Sequence, residues 1–228
     1  MILPTEEYNA WYYTEKGKYI SGLEKDVLLK MIKLSAISRQ LSAIDIGCGT
    51  GYFTEFLSGF CKNIVGVDTS MDMIKYAIKK HRDSNIKYLI ADAEKLPFKD
   101  GGFDISVSIT ALNFVKNPLS AVSEAVRISR KKVFLGILNR WSLLYFFKKV
   151  KSFFINTSYS DACFYGERDM VNILSSFPQI KGVYKQHTYF LPFPKIHLIL
   201  SKMEGSIPSW FPFGGFMGIV GEKEGRIR

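Results

Sequence analysis

The stretch that most constrains this chain runs from Ala43 to Gly51 and reads Ala-Ile-Asp-Ile-Gly-Cys-Gly-Thr-Gly. An apolar run, Leu41 to Ile46, ends in three alternating glycines, Gly47, Gly49 and Gly51. The next residues place Phe53, Phe56, Leu57 and Phe60 at helical spacing. A buried strand therefore enters a glycine turn and leaves it as a helix. Such a turn lets a ligand approach bare backbone, because a Cβ at those positions would block it. The helix that follows offers free N–H groups and a positive dipole end.

The rest of the chain alternates in the same manner. Strands are expected at Asn63 to Val67, Ile86 to Ile90, Phe103 to Ile109 and Lys132 to Leu138, with helices between most of them. Ser70 reads as a helix N-cap, and Asn117-Pro118 as a second helix start. Alternation of this kind means a parallel sheet covered by helices on both faces, with ligands at the carboxyl ends of its strands. The glycine turn, Asp68, Asp92 and the segment Ser108 to Asn113 all fall at those ends. Before the first strand, Ile20, Leu23, Val27, Met31 and Leu34 mark an amphipathic helix, preceded by Tyr8, Trp11, Tyr12, Tyr13 and Tyr19. Those aromatics either pack or form a lid over a ligand. After strand five, 141–155 reads as an aromatic amphipathic cap that covers the sheet or touches a lipid surface. A helix from Glu167 to Phe177, a strand from Val183 to Phe190, a proline-rich loop over 191–213 and a last strand from Gly215 to Gly221 complete the chain.

The expected fold is thus α/β: a Rossmann-like three-layer sandwich with a seven-stranded, mostly parallel sheet whose last strand is antiparallel. One domain spans 1–228: an N-terminal helical lid (1–40), a cofactor-binding half (41–138), a cap and substrate region (139–213), and the last strand with the tail (214–228). The N-terminus lacks a basic region followed by an apolar run, so no secretory leader is expected. Three scattered cysteines and three scattered histidines suit a reduced, cytoplasmic protein without a metal centre. The net charge of +10 is uneven. Residues 1–112 carry 14 Lys/Arg against 14 Asp/Glu, whereas 113–228 carry 17 against 7. That basic half could face RNA, a membrane surface or an acidic substrate, or be a solvated face.

The ligand is narrowed by what stands around the glycines. Dinucleotide folds place Gly or Ala at the third position of G-x-G-x-x-G, and here Tyr52 occupies it. No Lys-Ser/Thr follows the glycines, which excludes a phosphate-binding P-loop. Asp68, at the end of the second strand, stands where nucleoside-binding folds hold ribose hydroxyls, and a carboxylate accepts both hydroxyl protons.

Asp45 to Gly51 resembles motif I of class I S-adenosylmethionine-dependent methyltransferases. Gly66 to Met73 resembles their ribose-binding motif, and Ala91 to Phe98 is similar to the adenine-contacting segment of the ubiquinone/menaquinone-biosynthesis type, the methyltransferase-11 group. Phe103-Asp104 and Asn113 to Pro118 fit the same group, so the likeness covers about residues 41–138. It implies S-adenosylmethionine as cofactor. Gly47, Cys48, Gly49 and Gly51 would pass its methionine part, with Asp45 positioning the amino group. Asp68 would hold the ribose, Met73 or Thr69 would border the adenine, and Asp92, Ala93 and Glu94 would line its amino edge. Ser108, Ile109 and Asn113 would border the sulfonium, and Tyr12, among the N-terminal aromatics, is a further candidate cofactor contact. Ser129-Arg130-Lys131-Lys132 replaces the group's Lys-Pro-Gly-Gly turn.

No Asn/Asp-Pro-Pro-Tyr/Phe follows strand four, which weighs against methylation of nucleic-acid bases. The aromatic segments after strand five suggest a small apolar or aromatic acceptor, reached by in-line displacement. The alternatives are an RNA- or protein-directed methyltransferase, or a cofactor-binding module that works through its basic half. Tyr12, Tyr13 and His187 are the candidate bases, and no catalytic residue is assigned.

Overall fold

A computed structural model describes residues 4–32, 40–82, 86–142, 145, 162–189, 207–208 and 211–223. Two helices open the chain, α1 (Thr5–Trp11) and α2 (Glu15–Ile32). The expected single helix from Ile20 thus begins earlier and has a companion. Thr14 explains the break: its Oγ1 accepts from the Gly17 N–H at 3.0 Å, capping α2, while its own hydroxyl donates to the Trp11 carbonyl. Gly17 is required in this corner because a Cβ there would drive into the Trp11 backbone.

The sheet strands are β1 (Ser42–Ile46), β2 (Asn63–Asp68), β3 (Lys87–Ile90), β4 (Phe103–Ile109), β5 (Ser129–Leu138), β6 (Ile180–Thr188) and β7 (Phe216–Lys223). Helices α3 (Tyr52–Ser58), α4 (Met71–Lys80), α5 (Pro118–Ile128) and α6 (Glu167–Ser175) connect them. The strand order is β3-β2-β1-β4-β5-β7-β6. β1 to β5 pair in parallel, and β7 runs antiparallel to both its neighbours. β6 is therefore parallel to β5, and its carboxyl end meets the same sheet edge as the ends of β1 to β5.

The two helix starts read from sequence are present. Ser70 Oγ accepts from the Met73 N–H, and Asn117 Oδ1 accepts from the Ser120 N–H with Pro118 following it. One expectation is corrected. Ser129 to Lys132 is no turn but the first part of β5, entered through a register shift opposite Phe103 to Ile105. With neither Pro nor Gly in that stretch the backbone stays extended. Asp104 holds it there by pairing with Arg130 and Lys131, each at 3.2 Å.

Each sheet face has its own core. α2 packs Val27, Leu28 and Ile32 against Phe134, Phe216 and Val220 on one face. On the other, Val122, Val126, Met170 and Leu174 of α5 and α6 cover Leu135, Ile137, Met217 and Ile219. Fully burying one such side chain is worth about 1.5–3 kcal/mol. The close fit of α2 depends on Gly218, where a Cβ would meet Val27 Cγ1 at 2.6 Å. Most of the expected aromatic cap over 141–155, with its possible membrane contact, lies outside the described residues, as do most of the 191–213 loop and the tail from 224. No described helix is long and apolar enough to cross a membrane.

Candidate cofactor site

The β1–α3 turn is built by three glycines with positive φ: +76° at Gly47, +53° at Gly49 and +80° at Gly51. L side chains seldom adopt such values. Space reinforces the requirement. A Cβ on Gly47 would run into the Ala111 Cβ, and one on Gly51 into the Tyr88 hydroxyl. The turn is pinned to β2, since the Gly47 and Cys48 N–H groups both donate to the Val67 carbonyl at 2.7 and 2.9 Å. Gly49 keeps an open side, covered by the Tyr8 ring, which lies 3.5 Å from where a Cβ would stand.

Asp68 knits the turn to the next helix. Its Oδ2 accepts from the Gly49 N–H and its Oδ1 from the Ser70 N–H, both at 2.9 Å. Each oxygen retains a second lone pair, so a ribose diol can still be received. Thr69 is exposed and Met73 half-buried, one turn further along α4.

Asp45 lies beneath the turn and is 2% exposed. Its Oδ2 accepts from the Thr54 hydroxyl at 2.7 Å. Burial is the largest influence on this carboxyl, followed by the Thr54 bond, which opposes it, and the nearby Asp68 charge; the result is a pKa pushed up to about 7. Among the described residues this buried acid, beside a second acid, has no cationic partner. Burial, with Asp45 and Asp68 behind it, also holds the Cys48 thiol well above its ordinary range, so Cys48 packs as a neutral side chain rather than a nucleophile.

Of the N-terminal aromatics, Tyr8 lies nearest this turn. Tyr8 lies against Gly49 and shares a hydroxyl–hydroxyl hydrogen bond of 3.1 Å with Tyr12. Tyr12 is stacked on Tyr52 at 4.0 Å and meets Phe53 edge-on. Burial raises the Tyr8 phenol, as do the charges of Glu24, Asp68 and Asp45, while the Tyr12 bond opposes them. The cover is tied to α4 by Lys80, which donates to Asn9 Oδ1 at 3.4 Å and sits over the Tyr13 ring.

The remaining candidates divide. Asp92 lies exposed past the end of β3, its Oδ1 accepting from the Glu94 N–H at 2.9 Å, with Ala93 half-buried between them. Glu94 turns its carboxylate to the Lys116 and Asn117 N–H groups at 3.0 and 2.9 Å, so it braces the start of α5. Asn113 is fully buried and commits Nδ2 to the Cys163 carbonyl and Oδ1 to the Leu138 N–H. It joins the ends of β4 and β5. Ser108 is buried, and its hydroxyl has no hydrogen-bond partner among the described residues. Between Ser108 and Asn113, Thr110 takes a left-handed conformation with φ +58°, the strain that brings Ala111 against Gly47. Of the candidate bases, Tyr13 is half-exposed over Lys80. His187 Nε2 binds Glu167 Oε2 at 2.7 Å, and Lys185 pairs with the other oxygen. His187 lies three strand spacings, ~14 Å, from β4, which suits bracing α6 on β6 better than chemistry at the turn.

Sequence reasoning passed over Thr54, Tyr8 as the residue at Gly49, Tyr88 beneath Gly51, and Ala111. Only Tyr8 carried a local signal, as one of the lid aromatics. The other three act across elements distant in sequence. Among the described residues, no three His, Cys, Asp or Glu side chains group as a metal site.

A doubly covered sheet with this strand order, a bare-backbone turn after β1 and an acid after β2 defines a fold that binds a nucleoside carrying an amino-acid tail. The residues fit that ligand: Asp45 needs a cation, Asp68 has free lone pairs, and Gly49 exposes backbone. The chain belongs to the class I S-adenosylmethionine-dependent methyltransferases, and the methyltransferase-domain family model matches residues 44–137. An uncharacterised protein of Methanocaldococcus jannaschii is 33% identical over 227 residues, covering 96% of each chain. A solved Thermotoga maritima methyltransferase, described as a possible histamine N-methyltransferase, has a TM-score of 0.73 at 26% identity, again covering 96% of each. The demethylmenaquinone methyltransferase of a Roseiflexus species is 32% identical over 121 residues, which is 52% of this chain and 51% of that one. Setting the M. jannaschii protein aside, the chain spans about half the length, or less, of the curated relatives it matches.

Proposed function

We propose that this enzyme methylates a small apolar or aromatic acceptor held over the carboxyl ends of β4, β5 and β6. The observation behind this reading is the set of exposed aromatics at that edge: Phe114 after β4, Trp141 after β5, and Phe211 and Phe213 before β7. Phe211 and Phe213 meet edge-on at 5.1 Å. Exposed rings clustered at one edge favour an acceptor with a flat or greasy surface.

When bound, S-adenosylmethionine supplies a methyl group already made electrophilic by the sulfonium. The protein's own contribution is placement. Gly47, Gly49 and Gly51 would admit the methionine part, Asp45 would take its ammonium, Asp68 and Asp92 would hold the ribose and adenine, and Tyr8 with Tyr12 would exclude water. Ser108, Thr110 and Ala111 would border the reacting end, where the acceptor atom would meet the methyl carbon in line with sulfur. Such alignment can supply about 7–11 kcal/mol of a barrier.

The test is a transfer screen with methyl-labelled cofactor across quinol and phenol precursors, amines, peptides and RNA. Label should enter an apolar or aromatic small molecule. Label appearing only in RNA or peptide would refute this reading and favour use of the basic half.

A further inference from the structure

A second surface lies at the opposite margin of the sheet from β6. Among the described residues β3 is the edge strand, paired on one side only, with β2. The Ala91 N–H points to β2, donating to the Asp68 carbonyl at 3.1 Å. By alternation, Lys87 and Leu89 also turn their backbone groups to β2, and Tyr88 and Ile90 turn theirs to the open edge.

That edge is apolar to an unusual degree. Leu89 is 41% exposed and Ile90 52%. α4 continues the patch. Its Ile74 and Ala77 are buried, and Lys80 on one flank reaches Asn9 and Tyr13 of the lid. Met71, Lys75 and Ile78 stand at i, i+4 and i+7 on the other flank, which faces out beyond β3. Met71 is 53% exposed and Ile78 50%. Four large apolar side chains thus border one open strand edge, which soluble proteins normally cover or disrupt.

The surrounding charge selects the occupant. Lys75, Arg82 and Lys87 are exposed around these side chains, and none of them forms an ion pair among the described residues. Asp72 is the one acid of α4. A second copy of this chain would bring the same cations together across one strand spacing, so Lys87 and Arg82 oppose self-pairing. An acidic partner meets no such penalty.

We infer that the β3 edge and the outer flank of α4 form a docking site for a separate protein, which adds an extended strand carrying alternate apolar residues and carboxylates. Its backbone pairs with Tyr88 and Ile90. Its apolar side chains cover Ile90, Ile78 and Met71 on the α4 face, and its carboxylates, which alternate to the other face, meet Lys87, while Lys75 and Arg82 add positive potential along the same margin. This inference is independent of the identity of the methyl acceptor.

The experiment uses the full chain and two synthetic seven-residue peptides of alternating charge and valine, one built with Glu and one with Lys. Amide hydrogen exchange and fluorescence anisotropy report binding. The Glu peptide should bind at least tenfold more tightly and protect the Tyr88 and Ile90 amides. Ile78→Glu should weaken that binding more than fivefold while cofactor affinity, read by calorimetry, stays at the wild-type value. Equal binding of the two peptides, no binding of the Glu peptide, or protection elsewhere would overturn the inference. Protection of the same amides by concentration-dependent dimerisation without peptide would also overturn it, since the occupant would then be a second copy.

Discussion

The Gly49 N–H donates to Asp68 Oδ2 at 2.9 Å, so the acid that ends β2 also sets the shape of the turn that ends β1. Because Asp68 Oδ1 holds the Ser70 N–H as well, one carboxylate positions the glycine turn and the start of α4. The proposed cofactor contact and the backbone geometry are carried by the same side chain.

Gly47→Ala should both unfold the site and abolish cofactor binding. The new Cβ would sit at φ +76° and collide with Ala111. Forcing a non-glycine residue into that conformation costs on the order of 1–3 kcal/mol before any clash. An unfolding free energy lower by that amount or more, with loss of binding heat, is the expected outcome; a wild-type unfolding free energy would show the turn to be more tolerant than its geometry implies.

Asp45 predicts a pH dependence of definite sign. Its carboxyl is raised from 3.8 to about 7 in the free protein, so the folded state holds a proton that the unfolded state releases. This group therefore lowers stability as pH rises from about 4 to 7, with no further change above. Binding of an ammonium group favours the charged carboxylate, so cofactor affinity should decline below pH 7 and binding should release a proton. Asp45→Asn should remove this component. The variant is expected to be more stable than wild type at pH 7.5 without cofactor, yet to bind S-adenosylmethionine at least tenfold more weakly. Calorimetry in buffers of different ionisation enthalpy checks the proton count.

His187 carries the opposite sign. Burial lowers its imidazole, against the Glu167 carboxylate that raises it. A histidine held neutral in the fold adds stability above its unfolded pKa near 6.5, and that stability is lost as pH falls below it. His187→Gln should flatten this acid-side loss and leave the cofactor dissociation constant within about twofold. Denaturation midpoints at pH 5 and 7.5 separate it from Asp45.

Tyr8→Ala should uncover Gly49. A dissociation constant for S-adenosylmethionine raised about tenfold, equivalent to about 1.4 kcal/mol, with the fold retained, is expected. Tyr12→Ala should cost stability instead, because that ring is stacked on Tyr52. Equal effects of the two on affinity and stability would contradict this division between them.

The parts of this molecule governed by local chemistry could be read directly from the sequence. Strand periodicity placed β1 to β5, the Ser70 and Asn117 caps placed α4 and α5, and the glycines marked the turn. Where two distant elements meet, the residues gave no local sign. Thr54 donates to Asp45 from the far side of the turn, and Asn113 donates to the Cys163 carbonyl, fifty positions along. The Ser129 to Lys132 stretch was misjudged because Asp104, on a neighbouring strand, keeps it extended. The exposed edge of β3 was equally hidden, since a strand's position at the sheet margin is a property of topology and not of its four residues.

The most direct test is a calorimetric titration of S-adenosylmethionine into the wild-type chain and into Asp68→Ala. One saturable site in the wild type, with affinity lowered more than tenfold in the variant, is the predicted result. No heat in the wild type at about millimolar cofactor, or an affinity unchanged by Asp68→Ala, would contradict the assignment of this turn and its acid to the cofactor.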